Sequence, residues 1–336
     1  MSNECVAVLG CGGWGTALAV HLAKLGHRVN LWGRNDALVA EMTTKRVNEE
    51  YLSGTTLPEL VKPTVSLEFA LRDASFIVAA VPSHGTRGVL RRAAPHVSSN
   101  AIIVSATKGF EADSLLRMSE VIKEELGSTL PLVVLSGPSF SNELVRGVPT
   151  AVSVAGSSEE SVVAVQDGFR SSSFRLYATD DVIGVEVGGA MKNVIAIAAG
   201  TVESLGLGHN AIAALITRGL AEMSRLAVSI GGRRETLAGL SGLGDLVLTC
   251  TGAASRNRSV GIELGKGRKL PDILLKTRSV AEGVRTATAG LALGSKYGVE
   301  LPITAQMVEV LAVKKDPKQA VEALMLRRQR SEVEID

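Results

Sequence analysis

One lysine of this sequence lies within a long, almost entirely apolar stretch, and it is the first candidate for chemistry. Lys192 is flanked by small and aliphatic residues between Gly188 and Gly200. A helix that is apolar on every side is normally buried in the protein. Because burial disfavours the ammonium form, we expect the pKa of Lys192 to be lowered, so that it exchanges protons near neutral pH. The alternative is a lysine at a helix end, with a packed aliphatic stem and a solvated ammonium group.

A second candidate is a glycine-rich turn close to the N-terminus. A short apolar run, residues 6–9, is followed by the turn Gly10-Cys11-Gly12-Gly13-Trp14-Gly15. A helix-periodic segment and a second apolar run come next, and this order is typical of dinucleotide binding. Gly10 would allow the tight turn, Gly12 the approach of a pyrophosphate, and Gly15 the close packing of helix on strand. The alternative is a turn without a ligand, because the chain contains 35 glycines.

The residues that follow the second apolar run bear on the choice of cofactor. An NAD-selective site usually has a carboxylate about 20 residues after the glycines, where it binds the ribose 2′-hydroxyl. This sequence has Arg34 in that neighbourhood, and a guanidinium suits the 2′-phosphate of NADP or the face of an adenine. We therefore expect NADP to be preferred over NAD. The alternatives are a solvated Arg34 and an Asp36 that binds the ribose, which would favour NAD.

Composition agrees with a soluble enzyme, and length suggests about two domains. The length of 336 residues suggests about two domains, and 46% apolar with 3% aromatic residues indicates an aliphatic core. Because 36 basic and 34 acidic residues give a net charge of +2, we expect no nucleic-acid partner. Cys5, Cys11 and Cys250 lack C-x-x-C spacing, so we expect reduced thiols, no metal site and a cytoplasmic location. We also expect no signal peptide and no membrane span, since Lys192 or glycines interrupt the apolar runs.

The first half of the chain alternates apolar runs with helical segments. Continuous apolar runs that end in small or polar residues are typical of a mostly parallel sheet with both faces covered. Beyond the first two strands we expect others at residues 74–81, 101–105, 132–135, 150–155 and 174–177. Ligands of such sheets bind at the carboxyl ends of the strands, where Lys108, Ser139 and Ser141 lie. The pattern predicts an α/β Rossmann-type domain over residues 1–185.

Strand patterns are absent from the sequence after about residue 185. Periodicity there predicts helices at residues 186–204, 209–230, 233–240, 257–265, 281–297, 302–312 and 316–327. No disordered linker separates the two halves. We therefore expect an all-α domain, residues 186–336, that packs directly on the first domain.

Motifs along nearly the whole chain resemble those of bacterial NAD(P)-dependent sn-glycerol-3-phosphate dehydrogenases. In the first half they are the glycine turn and residues 48–58, 106–109 and 136–143. In the second half they are residues 188–200, 242–250, 255–257 and 280–283. Many dehydrogenases share the glycine turn, but the later segments in this order are highly specific. Ser53 and Ser141 stand where the family often has proline and alanine, which are small departures.

The resemblance implies interconversion of dihydroxyacetone phosphate and sn-glycerol 3-phosphate with NAD(P)H, the step that supplies phospholipid backbones. It implies that Lys192 is the general acid/base and that Lys108 binds both substrate and cofactor. The other implied substrate-binding residues are Gly137, Ser139, Asp245, Ser255, Arg256 and Asn257. The implied cofactor-binding residues, taken with Arg34 from the argument above, are Gly10, Gly12, Gly13, Trp14, Gly15, Ser141, Arg256, Val280 and Glu282. The oligomeric state is left open, with a homodimer as one option.

Several of these residues also have a purely structural interpretation. Lys108 could lower the pKa of Lys192 further, or it could be an ordinary loop lysine. Asp245 could hold Lys192 in place, or it could be a plain helix N-cap. The segment 255–257 could likewise be a helix cap, and Glu282 a favourable acid in a first helical turn. We interpret His84 as structural. Asn193 is expected to support Lys192.

Two other functions stay open at this level. One is a reductase of the 6-phosphogluconate or 3-hydroxyacid dehydrogenase type, which would also place a lysine near the nicotinamide. The Lys108 loop and residues 255–257 favour a small phosphorylated ketone instead. The other is an NADP-binding regulator without catalysis, which would have no need of Lys192, Lys108 and Asp245 together.

Overall fold

The N-terminal part of the protein is built on one sheet. The computed structural model describes residues 3–276, 281–329 and 331–332. The sheet contains β1 (Cys5–Leu9), β2 (Arg28–Trp32), β5 (Val61–Thr64), β6 (Phe76–Ala79), β7 (Ile102–Ser105), β8 (Leu132–Ser136), β9 (Thr150–Gly156) and β10 (Phe174–Thr179). A separate antiparallel hairpin is formed by β3 (Val47–Asn48) and β4 (Leu52–Thr56).

The eight strands of the sheet follow the order β10-β9-β8-β7-β6-β1-β2-β5. Neighbouring strands are parallel except β8 and β9, which are antiparallel. From β5 to β8, therefore, all carboxyl ends meet at one edge, which we term the carboxyl edge. The prediction of a mostly parallel Rossmann-type sheet is confirmed. Ligand-binding side chains that follow these strands are brought together at that edge.

Helices cover both faces of this sheet. They are α1 (Gly13–Lys24), α2 (Asp36–Lys45), α3 (Leu67–Leu71), α4 (Ser83–Ala93), α5 (Met118–Leu126), α6 (Ser141–Val145) and α7 (Glu159–Phe169), with a 3₁₀ turn at Ala94–His96. Alternate residues of β1 belong to different cores. Val6 and Val8 lie in the core that includes Leu18 of α1, whereas Leu9 lies in the one that includes Leu90 of α4. Both faces of the strand are buried, which explains its uninterrupted apolar sequence.

Two elements near the glycine turn depart from the predicted pattern. β5 contains a proline, Pro63, and the strand pairs only with β2 at the end of the sheet. Proline is tolerated there because an edge strand has one unpaired side. The β3–β4 hairpin is held to the glycine turn by Asn48, whose Nδ2 donates to Cys11 O and Thr16 Oγ1, each at 2.8 Å.

The described residues after Thr179 form helices and no strand. The helices are α8 (Val182–Ser204), α9 (Gly208–Ser229), α10 (Arg234–Ala238), α11 (Asp245–Thr251), α12 (Arg256–Gly265), α13 (Leu270–Lys276), α14 (Glu282–Lys296), α15 (Pro302–Leu311) and α16 (Pro317–Met325). A π-helical turn, Leu240–Gly244, precedes α11. The predicted helices are all present, whereas α11 and α13 were not predicted.

α8 is the central helix of the C-terminal part. It begins four residues before the predicted start because the Asp181 carboxylate accepts the Gly184 N–H at 2.8 Å and caps the helix. By length and composition α8 could cross a membrane, but 89% of its most apolar window is buried inside the protein. Its apolar sequence is accounted for by this central position, with other helices packed around it.

Candidate active site

α8 carries Lys192 into the interior beside the carboxyl edge of the sheet. The residue lies near the middle of the helix, and its side chain is 9% exposed. Its Nζ donates to Asp245 Oδ1 at 2.7 Å and to Thr249 Oγ1 at 2.8 Å. Burial lowers the pKa of Lys192 to about 8, with the Lys108 ammonium adding to the decrease and Asp245 opposing it. Lys192 is therefore a buried, paired lysine and not a solvated one at a helix end.

Two glycines allow α8 to come this close to its neighbours. Gly188 and Gly189 lie four and three residues before Lys192, so the three share one helix face. A Cβ at Gly188 would lie 2.5 Å from Ser241 O in the π-helical turn. A Cβ at Gly189 would lie 2.5 Å from Ser136 Oγ at the end of β8 and 3.5 Å from Cγ of Lys108. Larger residues at these positions would hold Lys192 away from the loops that face it.

Lys108 completes a three-residue cluster with Lys192 and Asp245. Its Nζ donates to Asp245 Oδ2 at 2.6 Å, and its side chain is 19% exposed. Burial alone would raise the pKa of Asp245, but the two ammonium groups outweigh it and hold that pKa below its usual value. Asp245 is the first residue of α11 and binds both lysines instead of capping the helix. One carboxylate thus orients two cations, and the cluster keeps one positive charge in excess.

Thr249 is a member of the site that the sequence pattern does not point to. It lies one turn after Asp245 on α11. Its Oγ1 accepts from Lys192 and donates to the main-chain O of Asp245 at 2.6 Å. The signal that could have identified it is the i, i+4 spacing from Asp245, which becomes informative once α11 is recognised as a helix.

The end of β8 supplies a second wall beside Lys108. Gly137 O accepts from Lys108 Nζ at 3.1 Å and from Ser139 Oγ at 2.9 Å. Gly137 has a φ of 144°, a conformation that L residues rarely adopt. The predicted substrate-binding residues Gly137 and Ser139 therefore lie next to the lysine cluster, and Ser139 bonds to the backbone of its own turn.

Residues 255–257 lie where α12 begins. Ser255 is the N-cap of α12, which agrees with the interpretation of this segment as a helix cap. Asn257 is buried, and its Nδ2 donates to Asn193 Oδ1 at 2.9 Å while its Oδ1 accepts from Gly283 N at 3.0 Å. Arg256 is exposed and has no hydrogen-bond or ion-pair partner within the described residues. The segment thus presents one unpaired guanidinium at a helix N-terminus, next to a side chain that links three helices.

The glycine turn leaves room for a phosphate at the start of α1. Gly10 has a φ of 117°, and a Cβ there would lie 2.6 Å from Ala80 O. Apart from the adjacent residues, no atom in the described part of the chain lies within 4 Å of the position that a Cβ would occupy at Gly12. No side chain caps α1, so the first N–H groups of the helix have no partner from a capping residue. The turn therefore fits the pyrophosphate of a dinucleotide.

The remaining predicted residues of the turn contact its walls. A Cβ at Gly13 would lie 2.9 Å from Tyr51 O and 3.6 Å from Ser141 Oγ, so the hairpin and α6 both border it. A Cβ at Gly15 would collide with the main chain of Gly10. The Nε1 of Trp14 is buried and has no acceptor among the residues described.

Glu282 joins α14 to the N-terminal part of the protein. It is the first residue of α14, and its Oε2 accepts from Ser83 Oγ of α4 at 2.9 Å. Burial raises the pKa of Glu282. A Cβ at Gly109 would lie 2.8 Å from Ser83 Oγ and 3.3 Å from Glu282 Oε2, so the Lys108 loop meets both helices. Val280, also predicted to contact the cofactor, lies outside the described residues.

Arg34 follows β2 at the carboxyl edge. It is exposed, and no residue in the described part of the chain pairs with it. The N-cap of α2 is Asn35, whose Oδ1 accepts from two backbone N–H groups. Asp36 is an exposed acid in the first turn of that helix. The guanidinium is thus available to a ligand.

Two further features lie outside this cluster. A cleft of about 590 Å³ lies at the opposite edge of the sheet, between Lys123, Ser157 and Arg233, and none of the predicted site residues lines it. Within the described ranges, no group of three or more His, Cys, Asp or Glu side chains could hold a metal ion.

Comparisons with known proteins agree over both halves of the chain. The model of the NAD-dependent glycerol-3-phosphate dehydrogenase N-terminus matches residues 5–162, and that of the C-terminus matches residues 181–322. A glycerol-3-phosphate dehydrogenase [NAD(P)+] of Koribacter versatilis is 49% identical over 332 residues and covers 98% of each chain. One from Acidobacterium capsulatum is 50% identical over 335 residues, 97% of this chain and 99% of its own. The crystal structure of glycerol-3-phosphate dehydrogenase from Coxiella burnetii superposes with a TM-score of 0.94 at 41% identity, covering 96% and 99%.

Proposed function

The chain belongs to the NAD-dependent glycerol-3-phosphate dehydrogenase family, and we propose that it interconverts dihydroxyacetone phosphate and sn-glycerol 3-phosphate with NAD(P)H. The observation that carries this conclusion is the buried Asp245 carboxylate between Lys192 and Lys108. A ketone that accepts a hydride develops negative charge on its oxygen, so its reduction needs positive charge and a proton at that atom. The cluster supplies both. The expected biological role is the supply of glycerol 3-phosphate for phospholipid synthesis.

Lys192 is the proposed proton donor and acceptor. With a pKa lowered to about 8, it is mostly protonated at neutral pH and can protonate the developing alkoxide. The same group, once neutral, can remove the hydroxyl proton in the oxidative direction. Bonds of 2.7 Å to Asp245 and 2.8 Å to Thr249 hold its Nζ in position. A pKa close to neutrality is the value that serves both directions.

Lys108 is the proposed second cation of the site. Its charge lowers the pKa of Lys192 beyond the effect of burial, and it adds positive potential where the substrate oxygen would lie. It is more exposed than Lys192, as a group that contacts a ligand should be. Its loop also meets Ser83 and Glu282, which supports a role toward the cofactor.

The substrate phosphate is proposed to bind at the start of α12. Arg256 offers a charge-assisted bond, and the helix N-terminus offers N–H groups to the same anion. Arg256 lacks a partner in the described part of the chain, which supports this role. Ser255, Asn257, Gly137 and Ser139 are proposed to complete the substrate site.

A nicotinamide dinucleotide, when bound, supplies the hydride. The residues that would hold it are those of the glycine turn, with Arg34, Lys108, Ser141, Arg256, Val280 and Glu282. The open space at Gly12 and the uncapped start of α1 support this assignment. Arg34 supports NADP as the preferred cofactor.

The division of the chain is a proposal as well. Residues 1–185 would bind the dinucleotide, and residues 186–336 would form the helical substrate-binding part. It is supported by the end of β10 at Thr179 and the start of α8 at Val182. Cys5, Cys11 and Cys250 are buried and form no disulfide, which supports a cytoplasmic location. A homodimer is one option for the assembly.

The other two functions are not favoured. A reductase of the 6-phosphogluconate or 3-hydroxyacid dehydrogenase type would not explain matches to both parts of the glycerol-3-phosphate dehydrogenase family. A ketopantoate reductase from Ralstonia eutropha, at 14% identity and a TM-score of 0.61, shares the fold alone. A non-catalytic regulator would not explain why Lys192 and Lys108 share the buried carboxylate of Asp245.

The direct test is NADPH oxidation, followed by absorbance, with a set of carbonyl compounds. We expect turnover with dihydroxyacetone phosphate and very little with unphosphorylated dihydroxyacetone. The oxidative direction is assayed with glycerol 3-phosphate, 6-phosphogluconate and a 3-hydroxy acid. Turnover of either of the last two without turnover of glycerol 3-phosphate would overturn the proposal.

A further inference from the structure

Three basic side chains around the glycine turn have no partner. Arg34, His84 and Arg285 are exposed, and none makes a hydrogen bond or ion pair within the described residues. Arginines elsewhere, such as Arg87 and Arg117, bind carboxylates. Positive charges that lie close together repel one another, and an anion that binds among them removes that repulsion.

The fold brings the three side chains together from three elements. In the strand order β6-β1-β2, the ends of β6 and β2 lie about 10 Å apart, on either side of the glycine turn. Arg34 follows β2, whereas His84 follows β6 at the start of α4. The Ser83–Glu282 hydrogen bond of 2.9 Å fastens α14 to the start of α4. Arg285 lies three residues after Glu282, on the same face of α14.

His84 lies within electrostatic range of both arginines. The imidazole of His84 is only partly covered, but this desolvation lowers its pKa, and the charges of Arg285 and Arg34 lower it further. The Arg34 charge also acts on Tyr51 and Cys11, which places it beside the glycine turn. An anion held among the three would be close to the ribose end of a bound dinucleotide, where β2 ends.

We propose that Arg285 and His84 join Arg34 in binding the adenosine 2′-phosphate of NADP(H). The helical part of the chain would then take part in selecting the cofactor, through the first turn of α14. A phosphate monoester carries nearly two negative charges and three acceptor oxygens, which matches a cluster of three separate donors. The inference rests on the proposed dinucleotide site but does not depend on which ketone is the substrate.

The test measures the binding of 2′,5′-ADP and 5′-AMP by calorimetry, because these nucleotides differ only in the 2′-phosphate. We expect the wild-type protein to bind 2′,5′-ADP at least about 10-fold more tightly. Arg285→Ala should weaken 2′,5′-ADP about 10-fold and change 5′-AMP by less than about twofold. The matched control is Arg28→Ala, an exposed arginine at the opposite end of β2, which should change neither affinity.

Three results would overturn the proposal. Equal weakening of both nucleotides by Arg285→Ala would assign Arg285 to the 5′-phosphate. Loss of 2′,5′-ADP binding in Arg34→Ala but not in Arg285→Ala would leave Arg34 as the sole ligand. A wild-type protein that binds the two nucleotides equally has no 2′-phosphate site.

The proposed role of His84 can be tested separately by NMR. A 2′-phosphate beside the imidazole should raise the pKa of His84, measured by NMR, in the complex with 2′,5′-ADP but not with 5′-AMP. An unchanged pKa would remove His84 from the site. Neither nucleotide contains nicotinamide, so these binding results are independent of the assay with dihydroxyacetone phosphate. Failure of that assay would refute the proposed function but not the proposed 2′-phosphate site.

Discussion

Lys192 and Lys108 donate to the two oxygens of a single carboxylate, at 2.7 Å and 2.6 Å from Oδ1 and Oδ2 of Asp245. The carboxylate neutralises one of the two charges and leaves the other for an incoming anion. Since the Asp245 side chain is 1% exposed, these interactions are less screened by water than surface pairs are. Substitution of each member of the cluster should therefore have its own measurable effect on activity.

Removal of the proton donor should abolish most of the activity. Lys192→Ala and Lys192→Met are expected to lower kcat by at least about 10²–10⁴-fold, the usual contribution of general acid/base catalysis. The affinity for NADPH, measured by fluorescence titration, should be nearly unchanged. Lys123→Ala, an exposed lysine on α5, is the control. A variant that keeps more than about a tenth of wild-type turnover would show that Lys192 is not the donor.

Activity should change with pH in opposite senses for glycerol 3-phosphate oxidation and for ketone reduction. Because the pKa of Lys192 is lowered to about 8, glycerol 3-phosphate oxidation should rise with pH and level off above about 8, where the base is neutral. Reduction should instead fall above about 8, where the acid has lost its proton. The measurement is kcat/KM against pH in each direction.

Two variants should move this transition in opposite directions. Asp245→Asn removes the charge that favours the ammonium form, so the pKa of Lys192 should fall and the profile should shift to lower pH. Lys108→Met removes a repulsive charge, so the profile should shift to higher pH. Shifts of the same sign in both variants would contradict the assignment of the transition to Lys192.

The phosphate contact can be tested by comparing two ketones. Arg256→Ala should lower kcat/KM for dihydroxyacetone phosphate by about 2–3 kcal/mol, or about 30–150-fold, since it removes a charge-assisted bond. Unphosphorylated dihydroxyacetone should be affected far less. Equal losses on both ketones would assign Arg256 to the cofactor and not to the substrate phosphate.

Cofactor choice can be tested at Arg34. Arg34→Ala should weaken NADPH much more than NADH, with a loss of selectivity of roughly 10–150-fold from one charge-assisted bond. KM for each cofactor, in wild type and variant, is the measurement. Equal weakening would mean that Arg34 stacks on adenine. A wild-type enzyme that uses NADH at least as well as NADPH would point to Asp36 as the ribose ligand.

The close approach of α8 can be tested with a methyl group. Gly188→Ala would place a Cβ 2.5 Å from Ser241 O, so we expect a destabilisation of about 1–3 kcal/mol and a lower kcat, as the turn before Asp245 shifts. Gly88→Ala on α4 is the control, because no described atom outside the helix's own nearby backbone lies within 4 Å of its Cβ position. That variant should be more stable by about 0.5–1 kcal/mol. Thermal denaturation shows whether each variant is more or less stable than the wild type. A stabilised Gly188→Ala protein would contradict the packing argument.

Local patterns in the sequence were sufficient for much of the fold. β1, α1 and β2 could be predicted because apolar runs and the glycine turn are properties of neighbouring residues. β5 was missed because Lys62 and Pro63 interrupt its apolar pattern, and only its position at the sheet edge makes Pro63 acceptable. α11 was missed because its seven residues follow a π-helical turn without a capping side chain.

The sequence by itself determined which groups are available: a lysine in an apolar helix, an uncapped glycine turn, and an arginine where an acid is usual. It did not show that Asp245, 53 residues from Lys192 and 137 from Lys108, lies between them. Nor did it show that Asn257 links α12 to α8 and α14. Burial and helix periodicity depend on residues close in the chain, whereas these contacts depend on how separate elements pack. Only the tertiary structure therefore decided the partners of Lys192, and with them its pKa.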